Sequence, residues 1–300
     1  MMQINRPKWE EVSTGVWEFP VPEKYLQEKK GEVNWLFFAP PPVLRIRLTS
    51  VKSGQKVRPI YAPNDFSKTL YRERLAELYK IFSEIESLKV AYGFIPNRNV
   101  IEQAIRHIHF KYTISLDIRD FFDSIKPKLV KGLIPDEMIP MLFINGAPRQ
   151  GLPTSPIVAN IAFNRVDQEI TAYLSTIESL IEKENPFQTL SKGGLQNFEY
   201  TRYADDISIS INDVGSVDRV INGIQRILVK HGFELNSRKT KLLKAKNGRR
   251  VICGVGVDEA NVYPTRKTRK KIRAAIHQSS FSSLLGLRSW VSSIEKKQPE

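Results

Sequence analysis

The fold prediction for this chain starts from the stretch EYTRYADDISISI, which spans residues 199–211. Two short apolar runs flank Ala204-Asp205-Asp206, a pattern that predicts a β-hairpin with two acidic residues at its tip. An Asp-Asp pair on its own is most often a plain acidic turn, because Asp favours turns. The sequence around the hairpin therefore decides between the two interpretations.

The elements on either side of the hairpin follow a recognisable order. Residues 112–118 read as a buried strand, and a long helix follows with Ser155 as its N-cap. After the hairpin, Ser216 is predicted to cap a helix that stops at Gly232, and residues 233–235 are predicted to form a strand. Strand, helix, strand, strand, helix, strand is the order of the split βαβ, ferredoxin-like fold.

Other segments are less patterned. The apolar spacing between Asp65 and Leu88 predicts a helix, residues 191–198 read as a loop, and Val251 to Val257 reads as a strand. The run Ala39-Pro40-Pro41-Pro42 reads as a stiff linker rather than a ligand for a proline-binding domain.

Three carboxylates are expected to converge at one end of the sheet. Asp117 lies near the end of the first strand, and Asp205 and Asp206 lie at the tip of the hairpin that neighbours it in this fold. Clustered acids repel one another unless cations bind between them, and oxygen ligands suit Mg²⁺. Two Mg²⁺ ions at this place would activate an attacking hydroxyl and stabilise a pyrophosphate leaving group.

Length and composition bound the class of protein. With 300 residues, two or three subdomains are expected. No apolar run is long enough for a membrane span, and the first residues lack a signal-peptide pattern. The single cysteine, Cys253, excludes an intramolecular disulfide and a zinc site built from cysteines, and fits a reducing cytoplasm.

The charge distribution indicates a polyanionic partner. The formal net charge is +14, and from Arg238 to the end of the chain 16 Lys and Arg face 4 Asp and Glu. A basic tail is often only a solvated surface. Here a patterned segment is predicted to form a helix that contacts RNA phosphates through Arg266, Lys267, Arg269, Lys270, Lys271 and Arg273.

The hairpin stretch resembles the Tyr-x-Asp-Asp signature of reverse transcriptases, carried here by Tyr203-Ala204-Asp205-Asp206. Other blocks similar to that family occur in the family's order. They are Arg58-Pro59-Ile60-Tyr61, Ala91-Tyr92-Gly93-Phe94, the segment 116–122 around Asp117, the segment 149–156 with Gln150-Gly151 and Ser155-Pro156, Asn236-Ser237-Arg238-Lys239-Thr240, and Cys253-Gly254 at the place of the primer-grip hairpin.

The resemblance implies an α+β fold shaped as a right hand. It places an N-terminal extension at residues 1–44, fingers at 45–110, and a ferredoxin-like palm at 111–262 with a fingers insertion around 125–150. A small helical thumb follows at 263–300. The implied activity is RNA-directed DNA synthesis with two Mg²⁺ ions and dNTPs.

The resemblance also implies a role for individual residues. Arg58 and Lys56 would contact the incoming triphosphate, and Lys239 would lie beside it. Phe122 would be a steric gate that excludes a ribose 2′-OH, and Gln150 would line the nucleotide pocket. Asp120 and Phe121 are expected to belong to the same nucleotide pocket. Ile118 is expected to belong to the metal site formed by the three acids. The alternative interpretation of Phe122 is a plain core aromatic. For Arg58 and for Lys239 the alternative is a plain surface charge.

Within the family, the chain is most similar to bacterial retron reverse transcriptases. Gln103-Ala104-Ile105-Arg106-His107 stands where they carry Asn-Ala-x-x-His, and Ile252-Cys253-Gly254 where they carry Val-Thr-Gly. Retron type implies a structured noncoding RNA as template and primer, priming from a guanosine 2′-OH, branched RNA–DNA (msDNA), anti-phage defence and an effector protein. The lone His107 is interpreted as structural.

Three alternatives stay open at this point. One is another bacterial reverse transcriptase, either defence-associated or similar to group II intron proteins. A second is an RNA-dependent RNA polymerase that shares the palm, which Phe122 and the ordered blocks disfavour. The third is an RNA-binding protein that kept the palm and lost catalysis, against which the intact acids argue.

Overall fold

The structure is a computed structural model that describes residues 8–21, 43–53, 56–184 and 198–298. Within these residues no helix combines the length and the apolar character that a membrane span requires. The predicted loop at 191–198 and the proline run lie outside the described residues, apart from Phe198, which begins a strand. The chain divides into two compact units, Met1–Ser87 with Asp120–Asn164, and Leu88–Arg119 with Arg165–Glu300.

The first unit is built on a four-stranded antiparallel sheet. Its strands are β1 (Glu10–Ser13), β2 (Val16–Pro20), β3 (Val43–Ser53) and β4 (Lys56–Pro63), in the order β1-β2-β3-β4. Part of the predicted N-terminal extension therefore adds two strands to this sheet. Trp9 also anchors it, since its indole Nε1 donates to the carbonyl of Met141 at 3.3 Å.

Helix α1 (Asp65–Ile85) confirms the helix predicted from the spacing of apolar residues. Asn64 caps it, because its side chain accepts a hydrogen bond from the amide of Ser67. Its buried face includes Leu70, Leu78 and Phe82. The next helix along the chain, α2 (Val100–Ile105), belongs to the second unit. The short helices α3 (Phe121–Ser124) and α4 (Ile139–Leu142) belong to the first unit.

Helix α5 (Ser155–Glu184) is the long helix predicted after the Ser155-Pro156 pair, but Ser155 is not its N-cap. Ser155 is the first helical residue, and the amide of Val158 donates to the carbonyl of Thr154. The buried hydroxyl of Ser155 has no hydrogen-bond partner, so it does not perform the predicted capping.

The second unit contains the ferredoxin-like sheet. Strands β5 (Tyr112–Asp117), β6 (Phe198–Tyr203), β7 (Asp206–Ile211) and β8 (Lys241–Lys244) are ordered β6-β7-β5-β8, with every pairing antiparallel. Helix α6 (Val217–Lys230) connects the hairpin to the last strand and follows Ser216. The hydroxyl of Ser216 donates to Asp213 instead of capping the helix.

The strand predicted at residues 233–235 is wrong. Only Leu235 pairs there, in an isolated bridge with Ile118, and the fourth strand of the sheet is β8. The amide of Asn236 donates to the carbonyl of Asp117 at 2.8 Å, and a 3₁₀ turn (Ser237–Lys239) follows, so the ladder resumes only at Lys241.

A three-stranded sheet and two helices complete this unit. The single strand predicted from Val251 to Val257 is a hairpin of β9 (Arg250–Ile252) and β10 (Val255–Val257), which β11 (Val262–Pro264) extends. Helices α7 (Arg266–His277) and α8 (Phe281–Lys296) follow. Ile294 of α8 and Ile101 of α2 share a buried apolar cluster with this sheet.

Candidate active site

The sheet of the second unit places two of the three acids side by side. Asp117 at the end of β5 is the register partner of Asp206 at the start of β7. Asp205 lies in the two-residue turn before Asp206, and its carbonyl accepts a hydrogen bond from the amide of Ile118 at 3.0 Å. The hairpin and β5 are thus tied together at the end of the sheet where the acids lie.

Asp117 is held by side chains of the segment that follows α6. Its Oδ2 accepts from Nζ of Lys239 at 2.6 Å, and its Oδ1 accepts from Nδ2 of Asn236 at 3.1 Å. The Asp117 residue is only 6% exposed, whereas Lys239 is exposed. The ammonium therefore supplies positive charge at the buried acid while it stays in contact with solvent. Sequence reasoning gave Asn236 no role, although it stands in the same block as Lys239.

The three acids perturb one another. Desolvation, followed by the charges of Asp205 and Asp117, raises the pKa of Asp206 to about 6. Asp206 as a whole residue stays solvent-exposed, and its carboxylate is repelled by the two neighbouring carboxylates. The hydrogen bond to Asp117 raises the pKa of Lys239 above its ordinary value. The site holds more negative charge than Lys239 neutralises.

The oxygen donors of these three acids have the chemistry that suits divalent cations. Carboxylate oxygens are the ligands that Mg²⁺ prefers, and cations would relieve the repulsion that raises the pKa of Asp206. Within the described parts of the chain, no group of three or more His, Cys, Asp or Glu side chains is arranged to hold a metal ion. Both carboxylate oxygens of Asp117 are already engaged by Asn236 and Lys239, which is consistent with that finding.

Apart from Lys239, the residues expected at the nucleotide belong to the first unit. Asp120 adopts a left-handed conformation (φ 44°) at the start of α3, and the next two residues are Phe121 and Phe122. Phe121 is buried with its ring 5.6 Å from that of Phe163, whereas Phe122 is only partly buried. The core aromatic of the pair is therefore Phe121, which leaves the ring of Phe122 partly accessible.

Gln150 is fixed through its main chain. Its carbonyl accepts from the amide of Tyr61 in β4 at 2.8 Å. The following Gly151 has a φ of +106°, and a Cβ there would lie 2.5 Å from the carbonyl oxygen of Tyr61, so only glycine fits. Arg149 adds an ion pair with Asp123 and places its guanidinium 5.5 Å from the ring centre of Tyr61.

The remaining candidate residues are placed as follows. Lys56 and Arg58 lie on β4, but their side chains are outside the described part of the structure. The six basic residues of the segment 266–273 lie on α7 and are exposed. His107 is buried between the hydroxyls of Ser210 and Thr201, at 2.8 and 2.6 Å from its two ring nitrogens.

Comparison with known proteins identifies a family and several relatives that match most of this chain. Residues 51–273 match the model of the family described as reverse transcriptase (RNA-dependent DNA polymerase). The chain is 28% identical over 284 residues to the retron Mx65 reverse transcriptase of Myxococcus xanthus. This alignment covers 83% of this chain and 61% of that protein. It is 27% identical over 285 residues to the retron Ec73 reverse transcriptase of Escherichia coli. This second alignment covers 84% of this chain and 80% of that protein.

One solved structure shows the shared fold. The telomerase of Candida albicans, in complex with a TWJ fragment of telomeric RNA, aligns with a TM-score of 0.51 at 14% identity. The alignment covers 73% of this chain and 45% of the telomerase chain. The likeness confirms the α+β polymerase fold class. This chain spans less than two thirds of the Mx65 protein and less than half of the telomerase.

Proposed function

Because the chain belongs to the reverse transcriptase (RNA-dependent DNA polymerase) family, we propose that it is an RNA-directed DNA polymerase. One observation carries the proposal. Asp117 and Asp206 face each other across adjacent strands, Asp205 lies in the turn between β6 and β7, and Lys239 binds Asp117. Outside a site for cations and phosphates, such a concentration of acids would only destabilise the hairpin.

Asp117, Asp205 and Asp206 would hold two Mg²⁺ ions, with the main chain of Ile118 as a further candidate ligand. When bound, the metal ions supply an activated primer hydroxyl and charge stabilisation for the pyrophosphate leaving group. The chain's own contribution is to fix the carboxylates. Asn236 and Lys239 orient Asp117, and the amide of Ile118 holds the carbonyl of Asp205.

Selection of the nucleotide is assigned to residues outside the acid cluster. We assign the steric gate to Phe122, supported by its partial exposure beside the buried Phe121. Contacts to the base and sugar are assigned to Gln150, together with Asp120 and Phe121. Contacts to the triphosphate are assigned to Lys56, Arg58 and Lys239, since ammonium and guanidinium groups bind phosphate oxygens.

The regions of the right hand follow from the same proposal. The ferredoxin-like sheet that carries the acids corresponds to the palm, and the sheet of β1 to β4 to the fingers. Helices α7 and α8 correspond to the thumb, and the exposed basic residues of α7 would contact RNA phosphates. We place the enzyme in the bacterial cytoplasm, in line with the bacterial relatives.

The direct test is primer extension by the purified protein on an oligo(dT)-primed poly(rA) template with dTTP and MgCl₂. We expect extension that stops on chelation with EDTA. The same assay with UTP in place of dTTP should give far less product. Extension with UTP as the preferred substrate would instead identify an RNA polymerase, and no extension on several RNA templates would contradict the proposal.

We further propose that the enzyme is of the retron type. Its similarity to retron reverse transcriptases over more than four fifths of its length supports this, together with the Gln103–His107 and Ile252–Gly254 segments. The proposal includes a structured noncoding RNA as template and primer, priming from a guanosine 2′-OH, msDNA as product, and a role in anti-phage defence with an effector protein.

The retron proposal is tested by the nucleic acid that co-purifies with the protein when it is expressed from its own genomic locus. We expect short DNA joined to RNA by a linkage that debranching enzyme cleaves, so that the treated DNA runs faster on a denaturing gel. Linear RNA alone, from a protein that extends primers in vitro, would favour another type of bacterial reverse transcriptase.

A further inference from the structure

A fully buried ion pair lies behind the catalytic hairpin, within the second unit. Arg202 of β6 is 0% exposed and Asp167 of α5 is 2% exposed. Arg202 Nε donates to Asp167 Oδ1 at 3.0 Å and Nη2 donates to Oδ2 at 2.8 Å, which makes the pair bidentate. The hydroxyl of Tyr200 also donates to Asp167 Oδ1, at 2.5 Å. None of these residues has been given a role in the reaction.

The same guanidinium reaches the turn that carries the acids. Arg202 Nη1 donates to the carbonyl of Ala204 at 3.1 Å, and Ala204 directly precedes Asp205. Ala204 has a φ of +53°, a left-handed conformation that side-chain-bearing residues adopt only when their surroundings enforce it. The position favours glycine, yet the sequence has alanine, so the turn depends on contacts that hold it in place.

We infer that Arg202 is a positioning residue, which uses the buried Asp167 to aim its Nη1 hydrogen bond at Ala204 and so fixes Asp205 and Asp206. The inference rests on the proposed polymerase function and extends it to residues that do not touch the substrate. Asp167 serves Arg202, because its bidentate contact holds the guanidinium in an orientation that reaches the turn.

Stability alone is a poor account of this pair. Burying two charges costs much of what their attraction returns, and well-packed apolar residues in their place are often neutral or stabilising. An apolar side chain, however, has no donor for the carbonyl of Ala204. The contact at the turn is therefore the part of the arrangement that depends on the guanidinium itself.

The test separates positioning from folding. The triple variant Arg202→Met/Asp167→Leu/Tyr200→Phe removes both charges and the hydroxyl that Asp167 satisfies, with roughly conserved volume. The matched control is Tyr200→Phe, which keeps the ion pair and the bond to Ala204. We compare thermal unfolding, kcat and KM for dTTP on primed poly(rA), and Mn²⁺ affinity from the EPR signal of the free ion.

We expect the triple variant to unfold near the parent temperature, to lose about 10- to 100-fold in kcat with a smaller change in KM, and to bind Mn²⁺ about 10-fold more weakly. Tyr200→Phe should match the parent in kcat and in Mn²⁺ affinity. A folded triple variant with parental kcat and parental Mn²⁺ affinity would overturn the inference.

A second variant covers the case in which the triple variant does not fold. Arg202→Lys keeps the buried charge beside Asp167, but a compact ammonium lacks the planar fork that serves Asp167 and Ala204 together. We expect reduced kcat and weaker Mn²⁺ binding, and parental values for both would again overturn the inference. A parent protein with neither dTTP incorporation nor Mn²⁺ binding would overturn the proposed function itself, which is a distinct outcome.

Discussion

Replacing Gly93 by alanine is a sharp test of how the β6–β7 hairpin is held. Gly93 follows a segment that pairs with β6, because the amide of Tyr92 donates to the carbonyl of Arg202 at 2.7 Å. A Cβ at Gly93 would lie 2.8 Å from the amide nitrogen of Ala204 and 3.3 Å from the carbonyl carbon of Tyr203. Both atoms belong to the main chain of the hairpin, so no side-chain rotation relieves the contact.

The required shift follows from these distances. Ordinary van der Waals contact begins at 3.4 Å, so the turn has to move by about 0.6 Å, the difference between 3.4 and 2.8 Å. Catalytic groups need placement within about 0.5 Å, and a misplacement of 1 Å costs roughly 100-fold in rate. We therefore expect a loss of about 10- to 100-fold in kcat. Overpacking should cost about 1–3 kcal/mol in the free energy of unfolding.

The assay pairs single-turnover dTTP incorporation with chemical denaturation for Gly93→Ala and a control. Gly286→Ala is the control, because its methyl group meets nothing within 4 Å and it lies inside helix α8. It should keep parental activity and gain up to about 1 kcal/mol, the difference in helix propensity. Parental incorporation by Gly93→Ala would refute the argument that the turn depends on this close approach.

Three further outcomes are expected. Phe122→Val should raise UTP incorporation relative to dTTP, whereas Phe163→Leu, which changes a buried core ring, should lower stability and leave that ratio unchanged. An unchanged ratio in Phe122→Val would rule out the steric gate. Because the folded-state pKa of Asp206 is raised from 3.8 to about 6, its contribution to stability is present below pH 3.8 and lost as the pH rises through 6. In EDTA, Asp206→Asn should therefore raise the unfolding temperature at pH 8 but not at pH 3.5. It should also reduce the rise in unfolding temperature that MgCl₂ gives the parent. Equal unfolding temperatures of variant and parent at both pH values would contradict the electrostatic explanation. Burial lowers the pKa of His107 from 6.5 to about 3, so the stability that this residue contributes above pH 6.5 is lost as the pH falls towards 3. The denaturation midpoint should therefore decline less steeply with falling pH in His107→Gln than in the control His277→Gln, which changes an exposed histidine.

Much of the palm was predictable because its signals are local. Two short apolar runs on either side of Ala204-Asp205-Asp206 specified the hairpin, and the β-forming run before Asp117 specified its neighbour in the sheet. The register that sets Asp117 opposite Asp206 follows once those strands pair in the ferredoxin-like order. Two-residue turns and short strands leave little freedom for another arrangement.

The errors arose where non-local contacts decide. Residues 233–235 have strand-forming side chains, but pairing stops at the single bridge between Leu235 and Ile118. A 3₁₀ turn (Ser237–Lys239) then redirects the chain, and β8 takes the edge of the sheet. Ser155 looks like an N-cap, yet the first helical hydrogen bond goes to the carbonyl of Thr154. Neither outcome is visible in the residue types alone.

The supports of the site were also beyond local reasoning. Asp167 and Arg202 are 35 residues apart in sequence, and nothing in either segment indicates that they form a buried pair. The close approach of Gly93 to the turn at Ala204 likewise spans more than a hundred residues. Such contacts are specified by the packed fold as a whole, in which surroundings hold an unfavourable backbone conformation in place.

Asp205 and Asp206 are proposed to carry metal-dependent DNA synthesis on RNA. The most direct measurement is Mg²⁺-dependent dTTP incorporation on oligo(dT)-primed poly(rA) by Asp205→Asn/Asp206→Asn, with binding of the same primed template measured in parallel. We expect incorporation reduced to background, with template binding retained because the hairpin keeps its shape. Incorporation at the parental rate by a folded double variant would contradict it.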